Sequence, residues 1–231
     1  MAEAPKYRTL FISDMHLGSS LSQASRLLKF LRENTATNIY LVGDVFDDLH
    51  DTHADWDTTY EVIRELISKA TRGIRVIFIP GNHDALARHY CGLSVGRFLI
   101  EEQCIHVTNR GRRYLVIHGD CFDYVASRWP WLAKLGNHAA KFLHHCTPLW
   151  FAHSLMVTVN LLVIGRDRFK AARERLVDKA KVDGLICGHT HEPKIEYKWE
   201  GLVDYANCGD WVDSCSCVVE DHDGTLQLVF A

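Results

Sequence analysis

The chain has 231 residues, 47% of them hydrophobic and 24% charged, with a formal net charge of −3. That length buries a substantial core in one large domain, and the balance excludes a disordered chain. The near-neutral charge excludes a global basic field, so no nucleic-acid partner is expected.

Eight cysteines are present. They contain no CxxC pair, so a zinc–thiolate site is not expected. The thiols read as reduced and mostly buried, in a cytoplasmic protein. Cys215 and Cys217 are read onto opposite faces of one strand. The polar stretch from Met1 to Lys6 leads directly into apolar residues and does not read as a signal peptide.

Leu10-Phe11-Ile12 is a short buried strand that ends at Asp14. Leu21, Ala24, Leu27, Leu28 and Leu31 repeat at helical spacing, with Ser20 or Ser22 as a candidate N-cap. Asn38 to Val42 is a second strand, and the acidic stretch from Asp47 to Asp57 is a loop. Tyr60, Ile63, Leu66, Ile67 and Ala70 form the apolar stripe of a second helix, which stops at Gly73. Ile74 to Ile79 is the third strand, broken by Pro80-Gly81. Three rounds of strand, loop and helix predict an α/β sheet with its site at the carboxyl ends of the strands.

Two shorter strands are expected over Ile105–Thr108 and Tyr114–Ile117. Residues 121–180 differ, being dense in large apolar groups, and Phe142 to Gly165 carries no Asp, Glu, Lys or Arg. A membrane span is long enough to fit there, but Pro148, His144, His145, His153 and Asn160 interrupt it. A helical cap or lid inserted within a single domain of 1–231 is the expectation. Its apolar groups either pack on the domain, or hold an acyl chain or rest on a membrane. A charged helix from Asp167 to Lys181 follows, with Phe169, Ala172, Leu176 and Ala180 on one face. Val182 to Cys187 is a strand. Ile195–Trp199, Leu202–Ala206, Cys215–Glu220 and Leu226–Phe230 read as antiparallel strands, the last two joined at Asp223-Gly224.

Five polar blocks follow these strands: Asp14-Met15-His16, Gly43-Asp44-Val45-Phe46-Asp47, Gly81-Asn82-His83-Asp84, His118-Gly119-Asp120 and Gly188-His189-Thr190-His191. In each, an apolar run delivers the chain to a tight turn that carries a carboxylate, an amide or an imidazole. Any one of them reads equally well as a cap or a turn residue. Together they supply four histidines, two aspartates and one asparagine, the natural count for two divalent ions. Carboxylate and imidazole suit Mn, Fe or Zn. Two such ions about 3.5–4 Å apart clamp the oxygens of a phosphoryl group during in-line displacement.

In order and spacing these blocks resemble the calcineurin-like metallophosphoesterases, with all five motifs complete and nearly the whole chain covered. The resemblance implies a four-layer α-β-β-α sandwich. It implies that Asp14, His16 and His191 bind one metal, that Asn82, His118 and His189 bind the other, and that Asp44 bridges. His83 would stabilise the phosphate or protonate the leaving oxygen, with Asp84 orienting it and Asp47 and Asp120 in supporting roles.

Within the family, the Ser13-Asp14-Met15-His16-Leu17-Gly18 opening and the insertion after Asp120 resemble the UDP-2,3-diacylglucosamine diphosphatases. Those are Mn²⁺-dependent peripheral membrane enzymes that release UMP and a lipid phosphate. The resemblance implies a phosphorylated, lipid-linked substrate and contact with the inner face of the membrane. Arg128, Lys134, Lys141, Arg166, Arg168 and Lys170 would meet the phosphates or an anionic surface. One position departs from that pattern: His83 stands where the lipid A enzymes typically carry arginine. A phosphodiesterase or phosphatase acting on another phospholipid or a soluble nucleotide is the alternative enzyme. A non-catalytic binding module of the same fold is the other, although all seven ligand positions are intact.

Overall fold

Neighbouring residues of the first three strands face different layers, and this alternation builds the fold. A computed structural model describes residues 5–47, 51–122, 166–197 and 203–231. One unit comprises residues 1–118 with 182–231, and a second comprises 119–181.

In the first unit, β1 (Tyr7–Ile12), β2 (Ala36–Val42) and β3 (Arg75–Ile79) run parallel. Helices α1 (Ala24–Glu33) and α2 (Trp56–Thr71) connect them. Leu10, Ile12, Ile39, Leu41, Val76 and Phe78 join Leu27 and Leu31 of α1 and Val62 and Leu66 of α2 in one buried cluster. The alternate residues Phe11, Tyr40, Val42, Ile77 and Ile79 join a second cluster with Tyr114, Val116, Ile186 and Ala206. Burial on both faces is why these strands read as continuous apolar runs.

Further strands complete two sheets. β4 (Ser94–Val95), β5 (Phe98–Ile100), β11 (Ser216–Glu220) and β12 (Leu226–Phe230) extend the first into seven strands, ordered β12-β11-β1-β2-β3-β5-β4. β6 (Cys104–Val107), β7 (Arg113–Val116), β8 (Gly184–Cys187), β9 (Lys194–Tyr197) and β10 (Val203–Asn207) form the second, ordered β6-β7-β8-β10-β9. This mixed α/β arrangement of two sheets with helices is the expected fold class. β11 and β12 pair antiparallel around Gly224, as their turn signal implies.

Several expectations are corrected. β10 pairs parallel with β8 and antiparallel only with β9. Ser20 and Ser22 do not cap α1: Gln23 precedes it without a side-chain cap, and the Ser22 hydroxyl donates to the Met15 carbonyl at 2.7 Å. The buried face of α2 is Thr59, Val62, Leu66, Lys69 and Ala70, whereas Tyr60 and Ile67 are exposed. Cys215, which precedes β11 with φ 48°, and Cys217 within it share the helix-side cluster rather than facing opposite ways. No disulfide joins any two of the seven described cysteines.

In the second unit, α3 (Arg166–Ala180) forms as expected, with Phe169 against Phe122 at 5.1 Å between ring centroids. Arg173 and Val177 are its buried positions, and Ala172 is exposed, contrary to the expected face. The apolar stretch from Phe142 to Gly165 and the residues Arg128, Lys134 and Lys141 lie outside the described residues. Among the described residues, no helix is long and apolar enough to cross a membrane.

Candidate metal centre

The five blocks sit at the carboxyl ends of five strands. Asp14 follows β1, Asp44 follows β2, Asn82 follows β3, His118 follows β7 and His189 follows β8. Two of the glycines that precede them are dictated by crowding. A Cβ on Gly43, which also has φ +80°, would overlap the His118 ring, and one on Gly188 would overlap Ser13 and the Asp14 carboxylate. Small turns let the loops of the two sheets approach each other.

The side chains converge in three groups, each with ligand atoms within 4.8 Å of one another: Asp14 with His16 and His191, Asp44 with His118 and His189, and His16 with Asp47 and His83. In the first, His191 Nε2 lies 3.2 Å from Asp14 Oδ1 and 3.4 Å from His16 Nε2. In the second, His118 Nε2 lies 3.4 Å from Asp44 Oδ2 and 3.2 Å from Asn82 Oδ1. The structure therefore gathers all seven expected ligand residues at one place. Asp44 falls in the second group, with its Oδ1 accepting from the His83 backbone N–H at 2.9 Å.

The donor set fits divalent cations. Asp14 Oδ1 is buried and accepts no hydrogen bond among the described residues. His191 Nε2 stands 3.2 Å from it, close enough for both to reach one ion. His118 Nδ1 is 3.0 Å from the Val42 carbonyl. Donation there leaves the Nε2 lone pair facing two acceptor oxygens, a repulsive arrangement unless positive charge lies between them.

The charges carry the same message. Burial raises the Asp14 carboxyl, but the fields of His191, His118 and His16 outweigh it and hold it well below the usual carboxylate range. Burial likewise opposes ionisation of Asp44, and His118 outweighs it, so that carboxyl is also held down. His118 is driven the other way: burial disfavours its cation, yet the Asp44 charge raises its pKa. The pocket demands positive charge, which divalent ions supply when bound.

The third group involves the residue expected to handle the leaving oxygen. His83 Nδ1 contacts Asp47 Oδ1 at 2.9 Å, and His16 Nδ1 contacts Asp47 Oδ2 at 3.3 Å. One carboxylate therefore orients both rings. The expected orienting residue, Asp84, is used elsewhere: its oxygens accept from the Gly81 and Val45 N–H groups, the latter at 2.7 Å. Asp84 ties the third block to the second, and Asp47 takes the contact with His83.

Three supporting residues were not anticipated. The Ser13 hydroxyl lies between the Asp14 carboxylate and the Val42 carbonyl. Asn207, fully buried at the end of β10, donates to the Gly188 carbonyl at 2.7 Å and to Thr190 Oγ1 at 3.0 Å, holding the turn that carries His189 and His191. Asp210, also fully buried, stands 4.0 Å from His191 Nδ1 and accepts from the Val212 and Ser214 N–H groups. Asn207-Cys208-Gly209-Asp210 has the same form as the five recognised blocks, a strand followed by a polar turn with a glycine. That form was the available signal. Of the basic residues expected at the lid edge, Lys170 is exposed on α3, and Arg166 and Arg168 belong to the same helix.

The calcineurin-like phosphoesterase family matches residues 7–193. The chain belongs to that family. It is a metallophosphoesterase, a hydrolase of a divalent-metal-dependent class. A curated UDP-2,3-diacylglucosamine hydrolase of Cellvibrio japonicus is 30% identical over 202 residues, covering 80% of this chain and 82% of its own. One from Stenotrophomonas maltophilia is 29% identical over 244 residues, covering 94% and 96%. A solved phosphoesterase from E. coli superposes with a TM-score of 0.49 at 16% identity, over 96% of this chain and 97% of its own.

Proposed function

We propose that this metallophosphoesterase is a dinuclear hydrolase of the pyrophosphate in a UDP-linked lipid such as UDP-2,3-diacylglucosamine, giving UMP and a lipid phosphate. The observation that carries the reading is the pair of adjacent ligand groups, Asp14–His16–His191 and Asp44–His118–His189, in a chain similar along most of its length to hydrolases of that name. Asp14, His16 and His191 would hold one ion, Asn82, His118 and His189 would hold the other, and Asp44 would serve both. Mn²⁺ is the proposed ion, and the donor set also admits Fe or Zn. When bound, such a pair polarises phosphoryl oxygens and lowers the pKa of water.

The chain's own residues orient and protonate. Asp47 accepts from Nδ1 of His83 and so turns Nε2 toward the centre, where that nitrogen lies 4.0 Å from Asp44 Oδ2. From there His83 hands a proton to the oxygen released when the P–O bond breaks. Asp84 holds the loop that carries His83. Residues 121–180 are the proposed lipid-binding insertion, and Arg128, Lys134, Lys141, Arg166, Arg168 and Lys170 are its candidate contacts to phosphates or an anionic membrane face.

Turnover of UDP-2,3-diacylglucosamine in detergent with added Mn²⁺, beside UDP-sugars lacking acyl chains, tests the reading. UMP release from the acylated substrate alone is expected. His83 in the place of arginine favours a second reading, a phosphodiesterase on another phospholipid or nucleotide. Activity on a generic phosphodiester without UMP release would establish that one instead.

A further inference from the structure

A second pocket lies on the helix side of the seven-stranded sheet, between α2 and the β4–β5 hairpin. Its volume is about 480 Å³, which is within the range of small-molecule sites. Leu41, Phe78 and Phe98 form its floor and Leu66 and Ala70 one wall. Ile67 and Val95 stand at its edge, 53% and 69% exposed.

Topology explains the opening. Helices α1 and α2 cover this face of the sheet beside β1 to β3. The connection from β3 to β5 is only a 3-10 turn (Ala85–Tyr90) and the two-residue β4. The outer face of β5 thus has no helix from its own connection.

Only two lining residues carry polar side chains, Thr71 and Arg97. The Thr71 hydroxyl is committed to the Ser68 carbonyl at 2.8 Å. Arg97 is exposed at the rim, and no carboxylate among the described residues pairs with it. An apolar slot with one guanidinium at its mouth complements an apolar chain that ends in an anion.

We propose that this groove binds one fatty acyl chain, with the fatty acid's carboxylate on Arg97. The site is separate from the metal centre and does not depend on which phosphoester is cleaved there. Its inner end is formed by Leu17, Val45 and Phe46, the residues that directly follow His16 and Asp44.

Calorimetric titration of the full chain, loaded with Mn²⁺, with laurate below its micelle concentration tests the proposal. One site per chain is expected, with affinity falling roughly tenfold for every two methylenes removed in decanoate and octanoate. Arg97→Glu should weaken laurate about tenfold and leave 1-dodecanol unchanged. Ala70→Phe, which fills the slot, should abolish both. Should Ala70→Phe fail to fold, the rim variant Arg97→Glu still decides. The proposal is overturned if laurate does not bind, or if its binding is untouched by both variants and the chain therefore lodges elsewhere. A dimer in sedimentation that excludes laurate would equally overturn it, by assigning the groove to a second copy.

Discussion

Five of the seven expected metal ligands adopt a backbone that side chains disfavour. Asp14, His16, Asp44, His189 and His191 have φ between 46° and 69°. Each such residue costs on the order of 1–3 kcal/mol, tolerated only where surrounding structure enforces it. Here Ser13, Asn207 and Asp84 do the enforcing through the contacts described above. At the same scale, His83 should act on the leaving oxygen. His83→Ala is expected to lower turnover about 10²–10⁴-fold with both metals retained, and the loss should be largest with poor leaving groups. Unchanged turnover on a poor leaving group, with metal content measured alongside, would remove His83 from that role. Asp47→Asn should cost about 10–100-fold and also loosen the ion held by His16, since it orients both rings. Metal titration of that variant separates it from a variant affecting His83 alone. The ligands were legible in the sequence because each motif is local, a turn within four residues of a strand end. The contact of Asp47 with His83 joins residues 36 apart in the chain. The family resemblance implied Asp84 instead.

At the scale of elements, the strands were readable because burial on both faces makes them continuous apolar runs. β4 and β5 were not, because two- and three-residue strands carry no usable period. The stripe of α2 was misplaced because Tyr60 and Ile67 are large apolar groups left exposed, the latter at the edge of the groove beside β5. A buried polar cluster away from the metal centre carries no local motif. Glu220 on β11 is fully buried and accepts from Arg8 at 2.6 Å and 2.7 Å, from Thr9 Oγ1 at 2.9 Å and from the Asn109 N–H at 2.8 Å. His106 on β6 approaches it to 2.8 Å, so the cluster joins the two sheets. Burial raises the Glu220 carboxyl, but His106, the Asn109 N–H and Arg8 together outweigh it and lower the pKa. A carboxyl depressed on folding stabilises the fold above its unfolded pKa and loses that contribution as pH falls through its folded value. Stability should therefore decline as pH drops below about 4. Glu220→Gln should be about 3 kcal/mol less stable at neutral pH and flatter in acid. Urea denaturation at a series of pH values measures both, and a variant that keeps the wild-type acid slope would rule out Glu220 as its source.

For the whole molecule, the metal centre is also a stability element. It joins loops after β1, β2 and β3 of one sheet to loops after β7 and β8 of the other. Those loops carry two buried carboxylates, strained turns and imidazole nitrogens facing acceptor oxygens, so without cations their approach is opposed. Ions that bind only the folded state add stability by mass action, about 2.7 kcal/mol at a hundredfold excess over Kd. In a chain of this size each kcal/mol moves Tm by about 2–4 °C. Chelation should accordingly lower Tm by roughly 5–10 °C for each ion removed, and Mn²⁺ should restore it with a midpoint that tracks metal concentration. Calorimetry on the chelated and reloaded protein measures this directly. Asp44→Ala tests the coupling, because the carboxylate proposed to bridge would belong to both halves of the site. That variant should lose most of the metal-dependent shift, read as the difference between its own chelated and reloaded forms. A full Mn²⁺ shift in Asp44→Ala would instead mean that the two ligand groups bind their ions independently, and would sink the bridged arrangement.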